Sequence, residues 1–518
     1  MTIPGKKDRL IFDGSFALHP HSGYVNKWTC KHNEPPLVFP AALTNHLRRI
    51  YNLRITYPNE EILLWDDDVS SAFRWVKLNP DIAAVFAFTV GNYLFVPTGQ
   101  TFGSNTSPSN WEVLARARMA LGVHILSNRR NELPRLRKKY ASYLKLLKIA
   151  PQRDTPITPA YSDAINHGVL VNNEPVPTEM HMHVDDNLMT DTTTRIQDAI
   201  VASIASNFEV LGEPNPSVRK VSLAEDKFTK TELSSARPQL GILIDTRSLT
   251  VSITDDKRAK LIKLLSQFGP HRKAFHLKEL AELTGVLNFL AYCSTWSTFC
   301  YVRIQEALVQ SCVKLYTKFS KDPRYKHLFE KSHGQTPPSF LEQIPFLLKE
   351  KATLIWRSKE KIALSHEARQ QIKDITTILE QPTRYTWSRP IGSIIPRVCD
   401  WSQAGDASLT AGGGWCHHYQ FWFHIEWPQH IRHETLMFKS PPTISINDLE
   451  FATAIILIAA SCLAWETDSM QGRRPQPRIS HLIDNTAGQA WLTKPCTTSP
   501  QAKRLTSVLC SIYLIIHL

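Results

Sequence analysis

The feature that most constrains this chain is a pair of acidic segments lying far apart in the sequence. The first, Asp66-Asp67-Asp68, closes the short apolar run Ile62-Leu63-Leu64-Trp65, and the second is His183-Val184-Asp185-Asp186. An apolar run ending in acids suits a buried strand that delivers carboxylates to a site at its end. Two adjacent aspartates after a short apolar segment suit the tip of a β-hairpin. If neighbouring strands bring the two segments together, their carboxylates form a cluster able to hold two magnesium ions. An Asp-Asp pair alone is usually an ordinary surface loop, because acidic residues are mostly exposed. The ordered set around this pair is what gives it meaning.

Between the acids lies Val96-Pro97-Thr98-Gly99-Gln100-Thr101-Phe102-Gly103-Ser104-Asn105-Thr106-Ser107-Pro108, followed by a helical stretch from Trp111. This spacing of Pro, Phe-Gly and Ser-Pro resembles the template-binding motif of reverse transcriptases, where a glycine admits close backbone approach to a nucleotide. Asp68 with Ala72-Phe73 resembles the first metal-binding motif of that family, and His183 to Asp186 its second. Lys6 to Asp13, carrying Lys7 and Arg9, resembles the fingers segment that grips the triphosphate. Ser222 to Phe228, with Lys227, resembles the motif whose lysine lies near pyrophosphate, and Leu240 to Asp245 the hairpin that holds the primer end. The resemblance implies Asp68 and Asp185 as principal metal ligands, Asp186 as an accessory carboxylate, and Lys227 as a source of charge or a proton. It implies Phe73 as a steric gate against a ribose 2′-hydroxyl, with Phe102 and Gly103 beside the template. Asp66 and Asp67, lacking the family spacing, are expected to cap or solvate the strand end.

The resemblance continues downstream. Gly405-Asp406-Ala407-Ser408 with Gly412-Gly413-Gly414-Trp415 resembles the first strand and turn of a ribonuclease H domain. Ile446 to Glu450 resembles its second acidic position and His481 to Asn485 its third, so Asp406, Glu450 and Asp484 are the implied carboxylates. The wording is nearest to DIRS-like, tyrosine-recombinase retrotransposon polymerases. The implied fold is α+β, a right-hand polymerase palm with partial fingers and helical thumb, then a partial ribonuclease H-like α/β domain. The expected boundaries are 1–253 for fingers and palm, with an insertion at about 126–180, 254–330 for the thumb, 331–395 for a connection, and 396–518 for the last domain. The implied activity is RNA-directed DNA polymerisation with two Mg2+ ions, Mn2+ being an alternative, on RNA template, DNA primer and RNA–DNA hybrid with deoxynucleoside triphosphates. The rival readings are an inactive nucleic-acid-binding relic, an RNA-directed RNA polymerase and a structural nucleoprotein; Phe73 and the ribonuclease H-like tail speak against the second.

Composition agrees with this class without selecting it. Hydrophobic residues are 42% and charged residues 21% of 518, as in ordinary globular proteins with sizeable cores. A formal charge of +13 favours a polyanionic partner. Nine cysteines, an odd number without a CxxC pair, suit free thiols in a reducing compartment. The longest apolar runs, Phe451 to Trp465 and Leu505 to Leu518, fall short of the ~20 residues that span a bilayer. A soluble intracellular protein, cytoplasmic or nuclear and without a membrane partner, is expected.

Three departures from the family matter. His183 stands where a tyrosine is usual, the chain begins almost directly with the basic segment, and no acid follows Asp484, so a fourth carboxylate is lacking. The last domain is therefore expected to be incomplete at its C-terminus and weak or inactive on hybrids. Elsewhere, Asn128 to Lys148 reads as a basic helix with Leu136, Tyr140, Tyr143, Leu144 and Leu147 on its packed face. Its basic face either contacts template phosphates or is simply solvated. Pro151 to Pro177 reads as loop. Thr254 to Gln267 and His276 to Leu290 read as thumb helices, the second with a stripe of Leu277, Leu280, Leu283, Leu287 and Leu290, and Ser365 reads as the cap of a further helix.

Overall fold

The structure is a computed structural model and describes residues 36–160, 179–215, 221–230, 232–269, 271–294, 301–324, 358–382, 387–396, 399–437, 443–469, 478–493 and 499–516. The chain forms two compact units, Met1–Val251 with Pro390–Val398, and Ser252–Arg389 with Cys399–Leu518.

The first unit is built around strand β1 (Ile62–Asp68), which follows helix α1 (Ala42–Thr56). Helix α2 (Ser107–Ser127) comes next, then the hairpin of β2 (His181–His183) and β3 (Asp186–Thr192), and helix α3 (Ile196–Leu211). The sheet order is β1-β3-β2, all antiparallel, with Ile62 opposite Thr192 and Asp68 opposite Asp186. Strand β1 is buried on both faces. Ile62 packs with Leu53 of α1, while Leu63 and Trp65 join a core with Ile125 of α2 and Ile200, Ile204 and Phe208 of α3. Helix α2 opens at Ser107-Pro108, where a proline in the first turn sacrifices no intrahelical hydrogen bond. After α3 come the short helix α4 (Glu225–Lys230) and the hairpin of β4 (Ala236–Gln239) and β5 (Ile242–Asp245). The turn joining β4 to β5, Leu240-Gly241, has φ of 48° and 82°, the two positive values a type I′ turn requires.

The acidic run on β1 does not end the strand. Pairing continues through Asp68, so alternation sends successive aspartates to opposite faces. Asp67 shares the face of Leu63 and Trp65 and enters the core fully buried. There Arg118 Nη2 of α2 donates to both its oxygens at 2.6 and 2.7 Å, and Ser203 of α3 donates at 2.6 Å. Asp66, on the other face, is buried against Arg237 of β4 at 2.5 Å. The expectation that these two acids cap or solvate a strand end is thus corrected: both are internal halves of ion pairs.

The segment 128–148 is not one helix. Helical turns at Leu133–Lys139 and Ala141–Leu144 are separated at Tyr140, whose φ of −102° and ψ of 22° leave the helical region. The expected apolar face is nonetheless the packed one, with Leu136 and Tyr140 buried and Tyr143, Leu144 and Leu147 against the same core. Much of its basic face is engaged by local acids: Arg129 pairs with Glu132 and Glu209, Arg137 with Asp198, and Lys139 with Glu213. Residues 150–160 lack regular structure, and the rest of the expected loop, 161–178, lies outside the described residues.

The second unit begins with helix α5 (Asp255–Ser266), whose cap Thr254 accepts from the Lys257 N–H at 3.3 Å. Helix α6 (Leu277–Leu290) buries all five leucines of its stripe. Helix α7 (Val302–Lys321) follows, then α8 (His366–Glu380), capped by Ser365 at 3.2 Å and burying Ala368, Ile372, Ile375 and Leu379. Helix α8 packs on α5 and α7, and Ala274–His276 pairs with Lys361–Ala363, so residues 358–380 belong to the same helical body.

A second sheet follows, made of β6 (Trp401–Ala407), β7 (Ala411–Cys416), β8 (Phe421–Glu426) and, after helix α9 (Ile446–Ser469), β9 (Ile479–Leu482). Its order is β8-β7-β6-β9, with antiparallel pairs except β6 and β9, which are parallel. Helix α9 lies on one face of this sheet through Leu457, against Trp401 and Cys416. Its other side, Phe451, Ile455, Ile458 and Cys462, packs on Ala502 and Leu509 of α10 (Pro500–Ile516). Here the expectation from run length needs correction. Within α9, the 22 residues Ile446–Thr467 are long and apolar enough to cross a membrane, yet most of their apolar length is buried as the core helix of its unit. The polar residues at its start had made the run look shorter.

The Asp67–Arg118 pair yields a stability prediction. Arg118→Met should cost about 3–5 kcal/mol in urea unfolding, because it strands a buried carboxylate. Asp67→Leu combined with Arg118→Met should recover much of that loss. An Arg118→Met protein as stable as wild type would show that the pair does not hold the strand.

Candidate functional site

In the first unit the acids of the two segments are brought to one place by backbone register. Asp68 and Asp186 are direct cross-strand partners, so their side chains leave the same face of the sheet. The Asp185 carbonyl accepts from the Val69 N–H at 3.0 Å, which ties the β2–β3 turn to the end of β1. Asp68, Asp185 and Asp186 are all partly exposed. Val184, in the turn, has φ 58°, a strained conformation for a β-branched residue. Its carbonyl accepts from the Trp111 indole N–H at 2.6 Å, and Trp111 is a buried anchor on α2. That anchor was not foreseen from the sequence, where Trp111 read only as part of a helix.

The surrounding residues converge as well. The Phe73 and Phe102 rings are tilted, with centroids 5.2 Å apart, and Phe73 packs on Val69, Ala72 and Trp111. Gly103 is exposed with φ 104°, a conformation open to glycine alone among common residues. His183 hydrogen-bonds through Nδ1 to the Phe39 carbonyl at 3.1 Å, which fixes the proton on that nitrogen, and its ring stands edge-on to Phe39. The Ala224 N–H donates to the Asp68 carbonyl and the Ser70 N–H to the Ser222 carbonyl, so α4, which carries Lys227, starts beside β1. The Lys227 side chain, and Lys7 and Arg9 entirely, lie outside the described residues.

In the second unit the carboxylates themselves converge. Asp406 near the end of β6, Glu450 in the first turns of α9 and Asp484 just after β9 each offer an oxygen, and these oxygens all lie within 4.8 Å of one another. Asp406 and Asp484 are exposed, whereas Glu450 is buried. Glu450 accepts from the Ala407 N–H through Oε1 at 3.2 Å, and its Oε2 has no hydrogen-bond partner among the described residues. Burial, the adjacent Asp406 carboxyl and the charge of Asp484 push the Glu450 carboxyl up to about 7. An acidic group crowded and desolvated in this way gains most from a hard cation, since oxygen donors suit magnesium or manganese.

The sequence matches no protein-family model and no curated protein. Among solved structures the chain is similar to a foamy viral protease–reverse transcriptase dRH in complex with double-stranded DNA, at 14% identity and a TM-score of 0.38, over 98% of this chain and 61% of that one. It is also similar to a foamy viral protease–reverse transcriptase in complex with an RNA/DNA hybrid, at 13% identity and a TM-score of 0.33, over 89% of this chain and 44% of that one. The chain thus covers at most about three fifths of the length of these two proteins.

The raised Glu450 carboxyl has a consequence for pH. Between the ordinary glutamate value of 4.5 and about 7, the folded state holds a proton that the unfolded chain has released. Its contribution to stability is therefore complete below that window and lost as pH rises through it. In urea unfolding without divalent ions, wild type should lose more stability from pH 5 to pH 8 than Glu450→Gln does. Parallel pH profiles for the two proteins would refute this.

Proposed function

We propose that this chain is a metal-dependent nucleic-acid polymerase of the reverse transcriptase type, from a retroelement of the DIRS-like kind, extending a DNA primer on RNA or DNA. The observation that carries the reading is the pairing of Asp68 with Asp186 beside the tied Asp185 turn, which brings the backbones of three acidic residues from distant segments to one strand end. Oxygen donors of this kind fit a hard divalent cation. Asp68 and Asp185 would hold it, with Asp186 as an accessory. When bound, two magnesium ions would supply activation of a primer 3′-hydroxyl and neutralisation of the leaving pyrophosphate.

The chain's own residues then divide the remaining work. The strained turn at Val184, pinned by Trp111, holds Asp185 in place before substrate arrives, and such preorganisation lowers the cost of reaching the reactive geometry. His183, held by Phe39, would support the primer end with an imidazole edge. Phe73, buttressed by Phe102, would close the pocket against a ribose 2′-hydroxyl and so select deoxynucleotides. Lys7, Arg9 and Lys227 would balance triphosphate charge, and Gly103 would admit the template backbone. In the second unit the proposal assigns Asp406, Glu450 and Asp484 to a ribonuclease H-like metal site.

Two experiments test this reading. Asp185→Asn should abolish magnesium-dependent primer extension, by at least about a thousandfold as expected for loss of a two-metal ligand, while the thermal unfolding midpoint stays within a few degrees. Extension surviving in that variant would refute the assignment, and the inactive relic becomes the better reading if wild type itself extends no primer. Phe73→Val should raise ribonucleotide incorporation without a comparable gain for deoxynucleotides. An unchanged preference in a folded variant would return Phe73 to a packing role.

A further inference from the structure

Helix α9 must approach the second sheet closely enough for Glu450 to reach Asp406, and the sheet surface beneath it is made of glycine. Register pairs Gly405 with Gly414 and Ala407 with Gly412, so these three glycines share one face of β6 and β7. Above them on α9 lie Thr453 and Leu457, on the same side of the helix as Glu450 one turn earlier. A Cβ on Gly412 would meet Thr453 Oγ1 at 2.5 Å and the Trp427 ring at 2.7 and 2.9 Å. A Cβ on Gly414 would meet Phe423 at 2.9 Å and Leu457 at 3.0 Å, and one on Gly405 would meet Thr453 Cγ2 at 3.3 Å. Trp427 is itself buried and held by a 3.0 Å hydrogen bond to the Ser408 carbonyl, so it has little room to yield. Thr453 is fully buried.

We infer that Gly405, Gly412 and Gly414 form a seat for α9, with Thr453 as the positioning residue whose depth in that seat fixes Glu450 against Asp406 and Asp484. The inference rests on reading the three acids as a metal site. Glu450 supports a ligand there independently of the glycines, since its side chain is buried and its Oε2 lacks a partner among the described residues. Ordinary contact begins at 3.4 Å, so a methyl at Gly412 asks the helix to rise by nearly an ångström. Metal-binding constellations tolerate roughly 0.5 Å of misplacement. The seat therefore tunes ligand spacing without touching the ion.

The test measures Mn2+ binding by the full chain carrying Asp68→Asn and Asp185→Asn, a parent that lacks the ligands proposed for the first unit, together with the position of α9 in crystal structures. Gly412→Ala should weaken Mn2+ binding about 10–100-fold, as changes behind metal ligands do, with α9 displaced from the sheet. Gly405→Ala is the milder variant, available if Gly412→Ala fails to fold. It should weaken binding less, and Thr453→Ser, which deletes only the methyl it meets, should restore the parent's affinity to Gly405→Ala but not to Gly412→Ala. Ile455→Val, on the α10 side of the same helix, should leave Mn2+ affinity unchanged. A folded Gly412→Ala protein with the parent's affinity or an undisplaced α9 would overturn the seat, as would failure of Thr453→Ser to rescue Gly405→Ala, or an equal loss from Ile455→Val. Absence of Mn2+ binding in that parent, with α9 still displaced in Gly412→Ala crystals, would overturn the metal reading of Asp406, Glu450 and Asp484 while supporting the seat.

Discussion

The first unit depends on the register in which residues 62–68 meet residues 186–192. Side chains alternate along a strand, so a slip of one position would exchange the contents of the two faces. In the observed register Asp67 meets Arg118 and Ser203 inside the core, and Asp68 stands opposite Asp186 at the rim. A slip of one position would still leave an aspartate beside Arg118, but it would set Val69 opposite Asp186 at the rim in one direction, or Trp65 against Arg237 in the other. A buried ion pair is often a poor source of net stability, yet breaking one is expensive, and this asymmetry suits it to enforcing registration. Asp67 and Asp68 are thus neighbours with opposite tasks, one locking the strand and the other displayed by the lock.

The two acidic groups differ in how far water reaches them. Asp68, Asp185 and Asp186 remain partly exposed, so water shares their solvation. Glu450 is buried against Asp406 and Asp484, and the crowding shows in a carboxyl that holds its proton to about 7. A group of the second kind is under electrostatic load until a proton or a cation relieves it.

Much of the local architecture was legible because it follows from periodicity and caps. The leucine stripe from Leu277 to Leu290 is buried along its length, and Thr254 and Ser365 cap the helices they precede. The face of Leu136, Tyr140, Tyr143 and Leu144 was legible too, although the helix breaks at Tyr140, because apolar spacing reports which side is packed better than it reports continuity. What could not be read was the pairing of buried charges. Nothing local to Asp66 or Asp67 names Arg237 or Arg118 as a partner, and a run of acids after apolar residues looks the same whether the strand stops or continues. Likewise the indole N–H of Trp111 finds the Val184 carbonyl only in three dimensions.

Helix α9 brings a consequence for synthesis of the chain. Its sheet-facing side can dock as soon as it emerges, because β6, β7 and β8 precede it. The side formed by Phe451, Ile455, Ile458 and Cys462 is covered by Ala502 and Leu509, which are translated later. At about 5–20 residues per second, an apolar helix of bilayer-spanning length presents that side uncovered for some seconds on the ribosome. During that interval the nascent chain resembles a membrane segment more than the interior it will become. The sooner α10 is made, the shorter that exposure.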